Sequence, residues 1–286
     1  MRPVVEGPAS NFTVGTTIGP YKVLSTAETV GFGEAFKVFN TVVGRLELMR
    51  IMPRGVAAGE LAARRFLKEA KILRSLEHLN VVKSYDLVQI DEDFILTMEF
   101  HEGVSLEQLM AQQAVSLTDG LRYATNVLAG LGCAHQANIV HRCIAPSTIL
   151  ILPDGCAKIG GFTFAQTADD VRLTARGFAI GFVKYMSPEQ VEGRRELDAR
   201  SDLYSLGVVL YELITGRRPF QLENQFRLMQ AHLKEQAAPP SSICAQISSE
   251  LDAIVLKALS KDPEQRFQTA EEFRAALNEV SKEASD

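Results

Sequence analysis

Cysteine and tryptophan are scarce in this sequence. Its 286 residues include no tryptophan and four cysteines, which are Cys133, Cys143, Cys156 and Cys244. So few and such widely scattered cysteines do not make the disulfide framework of a small secreted domain. A reducing compartment is therefore expected.

Long apolar runs are also missing. The longest, Leu203–Ile214, has twelve residues and already contains Glu212, whereas a membrane-spanning helix needs about 20. No apolar run follows Arg2, as a secretory signal would require. We therefore expect a cytoplasmic protein without a membrane segment.

An excess of positive charge is the third feature that the sequence lacks. Thirty basic residues stand against thirty-five acidic ones, for a net charge of −5. Nucleic-acid binders usually carry a basic stripe, so no nucleic-acid partner is expected. The apolar fraction of 46% is that of a globular chain. The length predicts two domains or one large domain with two parts.

The chain changes character along its length. Residues 1–20 are rich in proline and glycine and are expected to be an N-terminal extension with little structure of its own. Residues 21–100 combine strand-like segments with one amphipathic helix at Gly59–Glu77. Residues 101–286 carry mainly helical patterns, and the one at Leu203–Leu213 is apolar nearly all round, which predicts a central helix. The expected class is α+β.

Five short motifs then occur in order: His141–Leu150, Lys158–Thr163, Met186–Glu189, Asp202–Gly207 and Lys261–Phe267. They resemble the catalytic loop, the metal-binding motif, the end of the activation segment, the start of the central helix and a late C-lobe motif of protein kinases. The resemblance covers about residues 21–280 and is similar to bacterial serine/threonine kinases of the eukaryotic-like type. It implies a two-lobed protein-kinase fold. A small β-rich N-lobe with helix C (21–100) would precede a larger helical C-lobe (101–286).

Residues that carry the chemistry in such kinases differ here. The degenerate positions are Arg50 for the phosphate-binding lysine, Cys143 for the aspartate that orients the hydroxyl, Ala145 for the neighbouring lysine, and Thr148 and Gly161 for the metal-binding asparagine and aspartate. General acid–base help is worth about 10²–10⁴-fold in rate, and a metal's charge stabilises the transition state further. We therefore expect no intact catalytic residue and no magnesium site.

The resemblance also locates the nucleotide pocket. Its positions are Glu28, Val30, Gly33, Leu48, Met98 and Leu150. Of the three loop positions among these, only Gly33 is a glycine, the residue that lets backbone close over phosphates. Leu48 replaces a smaller alanine and would press into the adenine site. ATP binding is expected to be weak or absent, and no cofactor is expected.

Motifs that hold the kinase fold together are retained. The resemblance assigns structural roles to His141, Phe162, Glu189, Asp202 and Arg266. In the kinase fold Glu189 pairs with Arg266, and Asp202 holds the backbone of the catalytic loop. The retained Glu69 can still pair with Arg50. The residues that stabilise the kinase fold are therefore retained, whereas the residues that carry out phosphoryl transfer differ.

These observations lead to a functional expectation. We expect a pseudokinase that is not an enzyme and acts as a signalling scaffold or an allosteric regulator of a protein partner, itself an active serine/threonine kinase. Two alternatives are a nucleotide-binding sensor and a kinase-fold enzyme with atypical phosphoryl or nucleotidyl transfer. A carboxylate able to hold a metal near residues 148–161 would favour the enzyme. Asp154 lies in a predicted turn and is expected to point away.

Overall fold

Two compact units make up the chain. The computed structural model describes residues 12–28, 34–52, 59–90, 93–112, 115–167 and 180–283. The first unit comprises the chain up to Glu77 together with Val82–Glu102, and the second comprises His78–Val81 and the chain from Gly103 onward. The first is rich in strands and the second in helices. The predicted α+β class, with a β-rich and a helical part, is confirmed.

An antiparallel sheet of six strands forms the first unit, in the order β1-β2-β3-β4-β6-β5. The strands are β1 (Thr17–Ile18), β2 (Tyr21–Ala27), β3 (Glu34–Asn40), β4 (Arg45–Met52), β5 (Ser84–Ile90) and β6 (Asp93–Glu99). Alternate residues of a strand point to the same face. Met49 and Ile51 of β4 are accordingly both fully buried and pack in one core with Val38 and Ile95.

The predicted N-terminal extension is shorter than 20 residues. Thr17 and Ile18 pair with β2, Ile18 is buried, and Phe12 packs against the same core. Gly19 has a φ of +54°, a left-handed conformation that suits glycine in the tight turn into β2. The sheet therefore begins before Tyr21. Residues 1–11 of the predicted extension lie outside the described residues.

One helix, α1 (Gly59–Ser75), belongs to the first unit. Its buried side chains include Phe66, Ala70 and Leu73, which recur at the spacing of three or four residues that defines one helix face. The predicted helix at 59–77 is confirmed, with an end two residues earlier.

The second unit is mainly helical. Its helices are α2 (Leu106–Gln112), α3 (Leu117–Gln136), α4 (Pro188–Val191), α5 (Ala199–Thr215), α6 (Gln225–Lys234), α7 (Ser249–Ala258) and α8 (Ala270–Glu283). Its short strands are β7 (Val104–Ser105), β8 (Ile139–Val140), β9 (Ile149–Ile151), β10 (Ala157–Ile159) and β11 (Gln166–Thr167). They form two small sheets, β10-β9-β7 and β11-β8.

Helix α5 is the centre of the second unit, as its apolar sequence predicts. Asp198 caps its first turn by accepting from the backbone N–H of Arg200, and it ends at Gly216, whose φ is +72°. Gly207 allows a close approach to α7, because a Cβ there would lie 2.9 Å from the Cβ of Ala258. Helix α5 is largely buried, so packing against its neighbours fixes the surroundings of its polar side chains.

No helix among the described residues is both long and apolar enough to cross a lipid bilayer.

Candidate functional site

A buried ion pair joins the sheet and the helix of the first unit. Arg50 lies in the middle of β4, and its Nη1 donates to Oε1 of Glu69 on α1 at 2.9 Å. The two side chains are 2% and 1% exposed. The guanidinium also lies 5.5 Å from the ring centre of Phe66. Since removing one partner would leave a buried charge unpaired, this pair fixes α1 against the sheet.

The expected nucleotide-pocket residues of the first unit are distributed over three segments. Leu48 on β4 is half-buried and lies opposite the buried Met98 on β6 in the strand register. Glu28 follows β2 and is exposed. Val30 and Gly33 lie outside the described residues. The sheet thus brings Leu48 and Met98 together as neighbours.

The catalytic-loop segment of the second unit is held by one carboxylate. Asp202, on the first turn of α5, is fully buried and accepts from the backbone N–H groups of His141 and Arg142, both at 2.8 Å. The Nε2 of His135 lies 2.9 Å from the same carboxylate. Three donors therefore converge on Asp202, and hydrogen bonds to a charged acceptor are the strong ones.

Arg142 occupies a backbone conformation that is rare for a residue with a side chain. Its φ is +67°, in the left-handed region. Its N–H is bound by Asp202, and its carbonyl accepts from Nε2 of Gln190 at 2.8 Å. Such strain persists only where surrounding contacts over-determine it. Asp202 and Gln190 therefore hold the loop in this conformation.

The next residues of the loop are buried and are joined by hydrogen bonds within the loop. Cys143, Ala145 and Thr148 are all buried, and the backbone N–H of Cys143 donates to Nδ1 of His141 at 3.3 Å. The hydroxyl of Thr148 lies 3.1 Å from the carbonyl of Cys143 and 2.9 Å from that of Ala145, and accepts from the N–H of Ala145. The Thr148 side chain thus closes the loop onto itself.

Gly161 and Leu150 occupy the segments that follow. Gly161 has a φ of +74° and begins the 3₁₀ turn of Phe162–Phe164; its left-handed conformation explains the glycine. Leu150 lies in β9, between Ser105 of β7 and Lys158 of β10. In the described part of the chain, no three His, Cys, Asp or Glu side chains are grouped closely enough to hold a metal ion.

His141 and Phe162 link the catalytic loop to this turn. Both are fully buried, with ring centres 4.4 Å apart in an edge-to-face arrangement. The Nε2 of His141 lies 2.9 Å from the carbonyl of Gly160. Such ring pairs are worth about 0.5–1.5 kcal/mol beyond their area burial.

A second buried ion pair fixes α4. The Nη1 and Nη2 of Arg266 donate to the two carboxylate oxygens of Glu189, both at 2.8 Å. Ser201 donates to the same carboxylate at 2.6 Å. Burial alone would raise the pKa of Glu189, but the bonds from Arg266 and Ser201 outweigh it and hold this pKa below its ordinary value.

Two residues that contact this loop and its anchor could not be found from the motifs. His135 contacts Asp202 across 67 residues of chain, and Gln190 contacts the carbonyl of Arg142 across 48. Only the fold brings them to the loop. The capping-box spacing of Ser187 and Gln190 is visible in the sequence, but it predicts a helix start and gives no sign of a bond to the loop.

Comparisons with known proteins agree with this arrangement. A family model described as "Protein kinase domain" matches residues 25–277. The chain is 33% identical over 290 residues to a serine/threonine-protein kinase of Myxococcus xanthus, covering 96% of this chain and 53% of that protein. It is 32% identical to a probable serine/threonine-protein kinase of Clostridium perfringens, covering 94% of this chain and 40% of that protein. It is also 32% identical to a serine/threonine-protein kinase of Bacillus subtilis, covering 91% of this chain and 40% of that protein. The chain thus spans about half or less of these relatives' length.

These relatives contradict three expectations from the sequence. The expectations were a catalytically inactive pseudokinase acting as scaffold or regulator, a protein that is not an enzyme, and a domain with weak or absent ATP binding and no magnesium. The relatives are named as serine/threonine-protein kinases, and the match extends over nearly the whole chain. The residue identities at the five degenerate positions were a poor basis, because part of an enzyme's rate enhancement comes from its other contacts and survives when catalytic groups are lost.

Proposed function

Because the chain belongs to the protein kinase family, we propose that it transfers a phosphoryl group from ATP to serine or threonine hydroxyls of proteins. The observation that carries this proposal is the match of residues 25–277 to the protein kinase domain, with relatives named for that activity over more than nine-tenths of the chain. Phosphoryl transfer asks the protein mainly for positioning and electrostatic stabilisation.

The first unit supports the proposal through Arg50 and Glu69. Their hydrogen bond of 2.9 Å fixes a permanently charged guanidinium in the centre of the sheet. We assign the nucleotide pocket to Glu28, Val30, Gly33, Leu48, Met98 and Leu150. Magnesium enters as part of the nucleotide substrate, bound to its phosphates.

The second unit supports the proposal through a loop of fixed shape. Asp202 accepts from the backbone N–H of Arg142, and Gln190 donates to its carbonyl, at 2.8 Å each. A loop that is already in place needs little reorganisation when substrate binds, which lowers the barrier. The residue at the hydroxyl-orienting position is the buried Cys143, so we expect a lower rate than a carboxylate there would support.

We also propose a class of partner and a cellular location for the protein. The partner is a protein that presents a serine or threonine, and one such partner is itself an active serine/threonine kinase. The scarcity and spacing of the cysteines support a reducing, cytoplasmic location.

Incubation of the purified chain with ATP labelled at the γ-phosphate tests the proposal. The reaction contains Mg²⁺ or Mn²⁺ and a set of protein substrates. We expect label on serine or threonine, and a rise in melting temperature with ATP. Nucleotide at 100 times its dissociation constant adds about 2.7 kcal/mol, or roughly 4–6 °C for a chain of this size.

The matched control replaces both members of the buried pair, Arg50→Met with Glu69→Leu, so that no charge is left unpaired. It should fold and lose the label. Labelling that is no greater in the native chain than in this control, together with no thermal shift, would refute the proposal.

A further inference from the structure

Lys261 has unusual surroundings in the second unit. It follows α7 and is half-buried. Its Nζ lies 3.3 Å from the hydroxyl of Tyr204 and 3.3 Å from the carbonyl of Ala231. It also lies 4.5 Å from the ring centre of Phe220 and 5.5 Å from that of Tyr204. The amine is thus held by two acceptors and two aromatic rings.

The charges around Lys261 do not favour its ammonium form. Among the described residues, no carboxylate lies within ion-pair distance of its Nζ. Arg266, whose guanidinium lies 5.0 Å from the ring centre of Tyr204, is paired with Glu189. Burial, followed by the charge of Arg266, lowers the pKa of Lys261 to about 8, and the charge of Glu235 opposes this only in part.

A contact with His232 orients the Tyr204 hydroxyl. It lies 3.0 Å from Nδ1 of His232, and burial, followed by the charge of Lys261, lowers the pKa of that imidazole to about 3. His232 is therefore neutral at physiological pH and can accept the hydroxyl proton at Nδ1. When Tyr204 donates its proton to His232, the lone pairs of the Tyr204 oxygen face Lys261. The Tyr204 oxygen and the Ala231 carbonyl are then both acceptors for a neutral amine.

The two hydrogen-bond acceptors suit a neutral amine, whereas the two aromatic rings favour the ammonium. A neutral ε-amine has two N–H bonds, which match the two acceptors, Tyr204 and Ala231. One lone pair remains available for attack. Near pH 7.5 an amine whose pKa is about 8 is about one-quarter neutral, against about 0.1% for an ordinary lysine.

We propose that Lys261 is a covalent modification site for small activated acyl groups, carried by acyl phosphates or by thioesters. The Nζ lone pair attacks the acyl carbonyl carbon and forms a C–N bond. The bond from that carbon to the phosphate oxygen or the thiol sulfur breaks, and the leaving group takes the electron pair. The nitrogen releases one proton to water, and an amide results.

Lys257 is a natural internal control. It lies on α7, one turn before Lys261, and is 42% exposed. Its Nζ donates to Glu272 at 2.7 Å, so this amine has a carboxylate as a direct partner. A reaction governed by access alone would modify Lys257 first, whereas the proposal gives the opposite order.

The test uses the intact chain with acetyl phosphate and, in a separate arm, with acetyl-coenzyme A. Peptide mass spectrometry follows both lysines across about pH 6 to 10. We expect Lys261 to react at least about tenfold faster than Lys257 near pH 7.5, with a plateau above a midpoint near 8. Reaction in either arm supports the site and identifies the donor class.

Two variants sharpen the outcome. Lys261→Arg should lose this modification and leave that of Lys257 unchanged. Phe220→Leu removes a ring that stabilises the ammonium and should speed the reaction of Lys261; if this variant does not fold, the comparison with Lys257 in the native chain decides. Equal or slower reaction of Lys261, reaction in neither arm, or a rate that rises without a plateau would overturn the proposal.

Discussion

Glu189 and Arg266 lie 77 residues apart in the chain and share two hydrogen bonds of 2.8 Å in the interior of the second unit. Glu189 is the second residue of α4, and Arg266 follows the turn after α7. The guanidinium also donates to the backbone carbonyls of Ser260, Arg200 and Lys261. One side chain therefore connects three segments of the unit, which are α4, the start of α5 and the loop between α7 and α8.

This pair predicts a large loss of stability when one partner is removed. Arg266→Met and Glu189→Gln should each lower the free energy of unfolding by about 3–5 kcal/mol, because the remaining polar group stays buried without its partner. Urea denaturation measures the change. The exposed pair Arg274–Glu271 is the control, and Arg274→Met there should cost at most about 1 kcal/mol. Equal losses at the two sites would contradict this expectation.

The buried His232 predicts a dependence of stability on pH. Its pKa is lowered to about 3 in the folded chain, against about 6.5 when unfolded. Unfolding therefore takes up a proton between these values, and stability falls as the pH falls through that window, by about 1.4 kcal/mol per pH unit. Above about pH 6.5 the contribution is constant.

The variant His232→Asn isolates this effect from the titration of carboxylates. Its side-chain oxygen can replace Nδ1 as acceptor for Tyr204 without taking up a proton. The difference in unfolding free energy between variant and native chain should change with pH between about 4 and 6.5 and stay flat above. A difference that is independent of pH would show that His232 titrates normally.

Asp202 predicts a specific effect on the catalytic loop. Asp202→Asn keeps the size of the side chain but replaces one acceptor oxygen by an N–H₂ donor that faces backbone N–H groups. We expect a loss of about 2–4 kcal/mol, with faster hydrogen exchange at the amides of His141 and Arg142. Asp198→Asn is the matched control, since asparagine caps helices as well as aspartate does. Unchanged exchange at both amides would be inconsistent with the proposed anchoring.

The last prediction concerns the proposed reaction. Cys143→Asp places a carboxylate at the position that we propose for orienting the attacking hydroxyl, and it should raise the labelling rate by about 10²-fold or more. Cys143→Asn has nearly the same shape without the basicity and should give no such rise. If both variants leave the rate at the native level, position 143 has no part in the reaction. A melting curve of each variant shows whether the new polar group is tolerated in this buried position.

Much of the fold could be predicted from local patterns. The helix face of Phe66, Ala70 and Leu73 and the apolar run of α5 were both visible as periodicity. Local propensity and side-chain spacing act over one or two turns, so a single stretch of sequence contains them. The early strand at Thr17–Ile18 was missed because its pairing partner lies across a turn, in β2.

The family could also be predicted from motif order, whereas the inference of inactivity failed. Residue identities at Cys143, Thr148 and Gly161 say which groups are present, and they do not measure the rate that the remaining contacts support. The relatives that are named as kinases supplied the information on activity that the residue identities do not contain.

By itself the sequence determined the order of the elements, the central helix and the family motifs, because these depend on neighbours along the chain. Only the tertiary structure decided which polar groups meet. Three donors converge on Asp202, and the Thr148 hydroxyl closes its own loop. Lys261 lies between Tyr204 and Phe220, with no carboxylate of the described residues within ion-pair distance. The physical reason is that desolvation and hydrogen-bond geometry are set by residues distant in the chain, and both change the charge state and reactivity of a group that local sequence leaves ordinary.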